Sequence, residues 1–319
     1  MAHLVDQMAY VGRTPWHGLG NELAARQPLD VWMDQAGLAW NIKETPVRFI
    51  NSDKGRLGEI LSFDDQKVLY RSDTLAPLSV VSQRYQVVQP RDILEFYRDL
   101  TEKSGFELET AGSLKGGRKI WALARTGQTG LLKGNDRTNA YVLLATACDG
   151  TMATTAQFTS VRVVCNNTLA VALNGQAQSV KVSHRSVFDA ESVKRQLGIS
   201  VSAWEDFMYQ LKALSERKVK QSEAKKFMRT LFQPRPDQVE QKTNERAIGK
   251  VLSLFDGEGR GSHLASSRST AYGLLNAVTE FVDHERRARS TDYRLDSAWF
   301  GQGATLKQQA LSEALALVA

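Results

Sequence analysis

The sequence predicts an α+β fold in which an antiparallel sheet precedes a largely helical C-terminal portion. Three observations lead to this prediction: strand-like segments between Phe106 and Leu173, apolar residues at helical spacing over residues 189–232, and three further helical patterns after residue 243. With 319 residues, of which 42% are hydrophobic, the chain can bury one large core or two of ordinary size.

The first two strands and their connection follow from patterning. RKIWALAR (residues 118–125) alternates as a strand does, and NAYVLLATAC (residues 139–148) is apolar at nearly every position, which suits a strand covered on both faces. Asp149-Gly150 predicts a two-residue hairpin turn, and TMATTAQFTSVRVVC is the returning strand. The second and third strands therefore pair antiparallel.

A helix is expected directly after the third strand. Asn166-Asn167 supplies a cap, residues 169–173 are apolar, and Gly175 suits a left-handed helix end. The predicted core thus has the order β-β-β-α, and a long helix over residues 189–232, with breaks near Gly198 and Val219, packs on the sheet.

Three regions are predicted along the chain. Residues 1–75 form an irregular appended region with short strand-like pieces, PVRFI and GEILSF. Residues 76–232 form the core domain, which begins with a strand ended by Pro90 and the helix RDILEFYRDLTEKSG. Residues 233–319 form a helical C-terminal region, separated from the core by the breaker Gln233-Pro-Arg-Pro-Asp.

The class of protein follows from what the chain lacks and from its two cysteines. A run of about 18 apolar residues and a secretory leader are both missing, so a soluble cytoplasmic protein without a membrane partner is expected. The predicted hairpin separates Cys148 from Cys165, and neither has a CxxC or Cys/His companion, which favours two reduced core thiols.

The chain resembles a known family through several motifs. These are TPWHGLG (14–20), SQRYQVVQP (82–90), TAGSLKGGRKIWALA (110–124), VRVVCNNTLAVAL (161–173), VSHRS (182–186), TAYGLLNAVTEFVDHERRAR (270–289) and SAWFGQGA (297–304). They resemble the phage/plasmid-like proteins of unknown function, which are encoded by bacteriophages, plasmids and bacterial genomes. This resemblance implies a bacterial host and a setting of mobile DNA.

The β-β-β-α order also resembles, in topology alone, the single-strand annealing proteins that form rings or helical filaments on single-stranded DNA. Together the two resemblances imply a single-stranded DNA-binding protein that promotes annealing or recombination as a homo-oligomer. Annealing is downhill once strands are held extended, so no cofactor is expected.

Charge supports this expectation. The net charge is +6, and residues 181–319 carry 22 Lys and Arg against 17 Asp and Glu, whereas residues 1–180 carry 19 against 18. Such an excess fits either a solvated helix face or a surface that tracks phosphates. The candidate DNA-binding residues are Lys115, Arg118, Lys119, Trp121, Arg162, Asn166, Asn167, His184, Arg185, Lys194, Arg195, Arg260 and Arg268.

Each candidate also has an ordinary structural interpretation. Trp121 on a strand can belong to the core, Asn166 or Asn167 can cap a helix, and Arg162 can pair with an acidic residue. Arg260 and Arg268 lie in the Gly-rich loop of residues 255–270, which is predicted to be a hinge or mobile DNA-contact loop, because it lacks the P-loop lysine.

Catalytic motifs are missing. The five histidines show no HxxxH or HExxH spacing, and neither GxSxG nor a cysteine beside a histidine occurs, so no metal or catalytic residue is predicted. Two alternatives stay open: a metal-dependent nuclease or other nucleic-acid-modifying enzyme, and a protein-interaction module such as a host-defence antagonist.

Overall fold

The computed structural model describes residues 7–12, 20–51, 58–104, 106–164, 167–173, 176–177, 179–201, 204–233 and 244–318. Its strands are β1 (Met8–Val11), β2 (Asn21–Leu23), β3 (Ile42–Asn51), β4 (Glu59–Arg71), β5 (Pro77–Ser82), β6 (Glu107–Leu114), β7 (Lys119–Leu132), β8 (Asp136–Ala147), β9 (Thr154–Arg162), β10 (Asn167–Ala170), β11 (Ala172–Leu173), β12 (Gln176–Ala177) and β13 (Ser179–Val182).

The α-helices in these ranges are α1 (Leu29–Gln35), α2 (Pro90–Ser104), α3 (Ala190–Val201), α4 (Trp204–Glu216), α5 (Gln221–Phe232), α6 (Glu245–Ser253), α7 (Ala271–Glu280), α8 (Thr291–Phe300) and α9 (Gln302–Ala316). Helices α6 and α7 continue as π-helical turns, Leu254–Glu258 and Phe281–Glu285. The fold is α+β, as predicted.

The largest sheet has the strand order β10-β9-β8-β7-β6-β1-β2, with β13 beside β9, and β3-β4-β5 form a separate antiparallel sheet. The chain divides into two compact units. Unit 1 comprises Met1–Thr126, Val142–Ala156 and Ser179–Gln196, and unit 2 comprises Gly127–Tyr141, Gln157–Gln178 and Leu197–Ala319.

In unit 1, helix α2 buries Ile93, Leu94 and Phe96. The Tyr97 hydroxyl of the same helix lies 2.8 Å from the carbonyl oxygen of Ala122. Because burial raises the pKa of Tyr97 well above its usual value, this hydroxyl stays a hydrogen-bond donor. A buried backbone carbonyl of the sheet is thereby satisfied from the helix.

In unit 2, helix α7 is buried at every position from Ala271 to Glu280. It begins at Thr270, whose hydroxyl accepts a hydrogen bond from the Gly273 amide, the usual arrangement at a helix start. A helix buried on all sides forms the centre of its unit, and α7 contacts α4, α9 and β10.

Two predictions in the core are wrong. The turn after β8 spans residues 148–153 and is longer than a two-residue hairpin; Asp149 accepts a hydrogen bond from the Thr151 amide, and Gly150 has a φ of 73°. The helix expected from Asn166-Asn167 is strand β10, in which Asn167 is opposite Arg162 and Leu169 opposite Ser160. A short apolar run does not distinguish a buried strand from a helix.

Residues 1–75 are more regular than the sequence suggested. PVRFI and GEILSF do belong to strands, β3 and β4, but the region also includes β1, β2 and α1. Pro46 lies where the β3–β4 register shifts, and β3 extends before it to Ile42, beyond the predicted PVRFI piece. The strand expected to end at Pro90 is shorter, because β5 ends at Ser82.

The helical predictions after residue 189 are mostly confirmed. Of the two breaks predicted in this helical stretch, the one near Val219 separates α4 from α5. Gly198 itself lies inside α3, and that helix ends three residues later at Val201. Helix α8 was not predicted. Residues 234–237 of the breaker, Cys165, Asn166 and Gly175 lie outside the described residues.

Candidate nucleic-acid interface

Arg162, a predicted DNA contact, is a buried structural residue of unit 2. Its side chain is 3% exposed, and its Nε and Nη2 donate to the carboxylate of Asp136 at 2.9 and 2.7 Å. Nη2 also donates to the Ser267 hydroxyl at 2.8 Å. A bidentate, desolvated pair of this kind does not offer its charge to a phosphate on the surface, so the pairing interpretation is the correct one.

Asn167 is likewise buried and does not cap a helix. Its Nδ2 donates to the Thr279 hydroxyl of α7 at 3.0 Å, and its Oδ1 lies 3.1 Å from Nε2 of His284. The amide group therefore connects strand β10 to the central helix and to the turn that follows it.

A second buried ion pair lies beside Asn167. Lys307 Nζ donates to Asp283 at 2.8 Å and to the Thr168 hydroxyl at 2.7 Å, and both charged side chains are 4% exposed. Burial lowers the pKa of Lys307, while Asp283 opposes that shift. Asp136, Arg162, Asn167, Asp283, His284 and Lys307 are called here the buried polar cluster.

The Gly-rich loop is organised around a carboxylate of the chain itself. The Arg260 amide lies 2.9 Å from one Glu280 carboxylate oxygen and 3.1 Å from the other. Burial raises the pKa of Glu280, and the Arg260 amide partly opposes the shift. The Arg260 and Arg268 side chains are exposed. This loop thus binds an internal anion where an external phosphate was expected.

In unit 1 the predicted residues of β7 face the interior. Trp121 is 2% exposed and Lys119 is 6% exposed, so the Trp121 ring is core and offers no surface on which a base can stack. Lys115 occupies the turn before β7 with a φ of 57°, and Arg118 is exposed beside it.

Two other predicted residues meet in unit 1. His184 stacks on Tyr85 with ring centroids 4.5 Å apart, and its ring nitrogens lie 3.1 and 3.2 Å from the carbonyl oxygens of Gln86 and Met152. Arg185 is exposed next to this pair. A surface cavity of about 260 Å³ lies among residues 82–85, 150–153 and 183–185, called here the loop cluster.

The turn of the loop cluster begins at Cys148, a buried thiol whose pKa burial raises to about 12. The Arg118 carbonyl accepts a hydrogen bond from the Cys148 amide at 2.9 Å, so Arg118 is adjacent to this turn. On α3, Lys194 pairs with Glu191 at 2.9 Å, and Arg195 is exposed. The Arg118 backbone thus lies beside the turn of the loop cluster, which also contains His184 and Arg185, whereas Lys194 has its own carboxylate.

One cluster of positive charge around a cavity consists of arginines that were not among the predicted DNA-binding residues. A cavity of about 210 Å³ in unit 2 lies where the π-helical turn after α7 passes into α8. We call it the arginine pocket; it is lined by Val282, Arg286, Arg287, Ala288, Arg289, Tyr293, Arg294 and Ser297.

Backbone contacts shape the arginine pocket. Arg294 donates from Nη1 to the His284 carbonyl at 2.9 Å and from Nε to the Arg286 carbonyl at 3.2 Å, which ties α8 to the turn. The Arg286 amide bonds the Phe281 carbonyl at 2.7 Å and closes the π-helical turn. π-Helical turns are frequent at functional sites because they re-aim the residues that follow.

The charged residues that line the arginine pocket are all positive. Among the described residues, no carboxylate forms an ion pair with any of its four arginines, and neighbouring Glu285 instead faces Lys250 at 3.6 Å. Arg286 donates from Nη2 to Gln302 at 3.1 Å, but its buried Nη1 has no hydrogen-bond partner in the described part of the chain. Burial lowers the pKa of Arg286. The Arg286 guanidinium is therefore partly buried and has no carboxylate partner among the described residues.

The signal for this pocket is visible in the sequence as Arg286-Arg287-Ala288-Arg289 followed by Tyr293-Arg294. The charge totals over residues 1–180 and 181–319 do not reveal this run, because each total averages over many residues. What distinguishes the run from an ordinary solvated helix end is that the chain turns there, so that four arginines surround one cavity.

Other kinds of site are not indicated in the described ranges. No group of three or more His, Cys, Asp or Glu side chains there is arranged to hold a metal ion. Nor does any helix within those ranges combine the length and apolar character needed to cross a bilayer.

Comparison with known proteins identifies a family but no activity. Neither the curated proteins nor the solved structures contain a match to this chain. One family model, described as domain of unknown function (DUF932), matches residues 77–299, a range that includes the loop cluster and the four arginines of the pocket. The match covers more than half of the 319 residues, and the chain belongs to this family of unknown function.

Proposed function

We propose that this protein binds single-stranded DNA and that the arginine pocket holds its phosphates. The observation that carries the proposal is the set of four arginines around one cavity without a described carboxylate partner. Arginine presents a planar fork of donors that matches phosphate oxygens, and it is weakly hydrated, so it gives up water for a phosphate more readily than lysine does.

A single strand suits this pocket better than a duplex. Tyr293 lies among the arginines with 42% of its surface exposed, and an exposed aromatic ring beside cations is the pairing that binds unstacked bases and their backbone. The pocket is a small concave site, into which a strand can place a phosphate. Recognition of a duplex instead uses a protruding helix or strand that enters a groove of the DNA.

The biological setting is part of the same proposal. A protein carried by mobile DNA, as the sequence resemblance implies, uses such binding for strand annealing or recombination, and a homo-oligomeric ring or filament extends the binding surface along the strand. Multi-angle light scattering with and without DNA tests the assembly; a strictly monomeric mass in both conditions contradicts it.

The binding itself is tested by fluorescence anisotropy with a labelled single-stranded oligonucleotide over a salt series. We expect affinity to fall with salt and Arg289→Ala to lower the slope of log K against log salt by about one phosphate contact, ~0.7 for a single strand. Arg289 is exposed, so its removal leaves folding intact.

Arg246→Ala is the matched control, because Arg246 is an exposed arginine of unit 2 on α6 outside the pocket lining. An Arg246→Ala effect as large as that of Arg289→Ala means that binding follows total charge and not the pocket. Binding that does not respond to salt also contradicts the proposal.

A further inference from the structure

We infer that the arginine pocket recognises a phosphomonoester, the dianionic phosphate at a strand end, in preference to the internal phosphodiesters of a strand. The inference rests on the proposed function and specifies the ligand of the same site. It starts from two features, the amount of charge in the pocket and the position of one guanidinium nitrogen.

The amount of charge favours a dianion. Four guanidinium groups line a cavity of about 210 Å³, and the described residues place no carboxylate among them. An internal phosphodiester brings one negative charge and two free oxygens, whereas a terminal phosphate carries a charge of about −1.5 to −2 at pH 7 and three free oxygens. The mutual repulsion of the four arginines is therefore relieved more by a phosphomonoester.

The position of Arg286 favours a group that enters end-on. Its Nη1 is buried and without a hydrogen-bond partner among the described residues, while Nη2 is fixed by Gln302 at 3.1 Å. The apolar side chain of Val282, 1% exposed, is part of the pocket lining. Because Arg286 lines the cavity, a phosphate oxygen that binds its guanidinium from the pocket side has to enter the cavity. A diester has chain on both sides of its phosphorus, whereas a terminal phosphate has chain on one side.

The two exposed arginines supply the remaining contacts. Arg287 and Arg289 are exposed at the pocket, and both precede the N-terminal end of α8, which begins at Thr291 after the cap Ser290. An oxygen bound to the partly buried Arg286 leaves the other two oxygens of a phosphomonoester for these side chains. The three free oxygens of a phosphomonoester can therefore each accept from one of the three arginines, Arg286, Arg287 and Arg289, whose guanidinium groups bind no backbone carbonyl of the described residues.

The test compares four ligands with the full chain at pH 7.5: a 5′-phosphorylated single-stranded 20-mer, the same 20-mer with a 5′-hydroxyl, a circular single strand, and a free nucleoside monophosphate as competitor. We expect the phosphorylated strand to bind about tenfold more tightly than the hydroxyl or circular strands. Lowering the pH to 5.5, where the terminal phosphate is mostly a monoanion because its second pKa is about 6, reduces that preference.

Variants show whether the preference resides in the pocket. Arg286→Ala is expected to reduce the ratio of phosphorylated to hydroxyl affinity to about one, and Arg289→Ala, at an exposed position, reduces it with no risk to folding. Arg246→Ala leaves the ratio unchanged. The nucleoside monophosphate is expected to compete with the phosphorylated strand. Competition at the affinity of that strand assigns the site to free nucleotides, and much weaker competition assigns it to strand ends. Both outcomes support recognition of a phosphomonoester.

Failure of the inference and failure of the proposed function are distinguishable. Equal binding of phosphorylated, hydroxyl and circular strands, all weakened by Arg289→Ala, overturns end recognition and leaves single-stranded DNA binding intact. No binding of any strand, or binding that Arg289→Ala does not change, overturns both.

Discussion

The buried polar cluster and the arginine pocket lie in the same unit, are both rich in charge, and use that charge in opposite ways. In the cluster each cation faces a carboxylate, Arg162 with Asp136 at 2.7 Å and Lys307 with Asp283 at 2.8 Å. In the pocket four arginines share a cavity, and the described residues offer them no carboxylate. The first arrangement fixes the fold, and the second is available to a ligand.

The two regions are joined at one residue. His284 contributes its ring to the cluster through Asn167, and its carbonyl accepts a hydrogen bond from Arg294 of the pocket at 2.9 Å. The cluster thus positions the turn from which the arginines project. Stability measurements should therefore respond to changes in the cluster, and binding measurements should respond to changes in the pocket.

The largest effect is expected on breaking the Arg162–Asp136 pair. Asp136→Leu leaves a guanidinium buried without its carboxylate, and loss of one partner of a buried pair costs about 3–5 kcal/mol of unfolding free energy. Urea denaturation followed by circular dichroism measures it. The double variant Asp136→Leu with Arg162→Met is the control and should recover most of the loss, because no charge is then left unpaired. A cost below about 1 kcal/mol for the single variant would contradict a structural role.

Charge reversal in the pocket should weaken DNA binding and leave the unfolding free energy nearly unchanged. Arg287→Glu with Arg289→Glu introduces two carboxylates where a phosphate is proposed to bind, and we expect affinity for single-stranded DNA to fall about 100-fold, or ~2.7 kcal/mol, at low salt. Both positions are exposed, so the unfolding free energy should change by about 0.5 kcal/mol or less. Anisotropy and urea titrations on the same sample measure the two quantities. A destabilised variant with unchanged affinity would mean that the pocket stabilises the fold and does not bind DNA.

The same division explains what the sequence can predict. Patterning identified the α+β class, strands β7 and β8 and most helices, because these elements have regular periodicity along many residues. It left open whether Arg162 pairs with a carboxylate or binds DNA, and it expected a helix at Asn167, since nothing near them in the chain shows that Asp136, Thr279 and His284 are their partners; those contacts are separated by 26, 112 and 117 residues. Local pattern carries no information on such distant pairing.

The pocket was missed for a related reason. Its arginines are nearly consecutive, so the sequence shows their charge but not that the chain turns around them at Phe281–Glu285. Conversely, Trp121 and Lys119 were chosen because cations next to an aromatic residue resemble a binding surface, and the covered sheet buries both. A cation's exposure depends on which layers cover its strand, which the local sequence does not state.

The pH dependence of stability should reveal the buried lysine. Burial lowers the pKa of Lys307, so between that lowered value and 10.5 the unfolded chain binds more protons than the folded one. Stability from this residue therefore rises with pH across that window, by up to about 1.4 kcal/mol for each unit of lowering. Cys148, whose pKa is raised to about 12, acts in the opposite direction above its usual value of 9.0.

To separate the two groups, the unfolding free energy of Lys307→Met is subtracted from that of the unmodified chain between pH 7.5 and 10. Cys148 contributes equally to both proteins and cancels. The difference should grow with pH. A flat difference would indicate that Lys307 keeps its ordinary pKa, and a difference that shrinks would indicate a raised pKa; either result would contradict desolvation within the buried polar cluster.

The smallest expected effect concerns the loop cluster, which contains two of the predicted DNA-binding residues, His184 and Arg185. Arg185 is exposed, the turn beside it includes the carboxylate of Asp149, and His184 is already engaged with Tyr85 and two carbonyl oxygens. We expect Arg185→Ala to weaken binding of single-stranded DNA only about twofold, ~0.4 kcal/mol, against about tenfold for Arg289→Ala. Anisotropy at one low salt concentration compares the two. If Arg185→Ala has the larger effect, the primary contact with DNA lies in unit 1, and the arginine pocket is secondary.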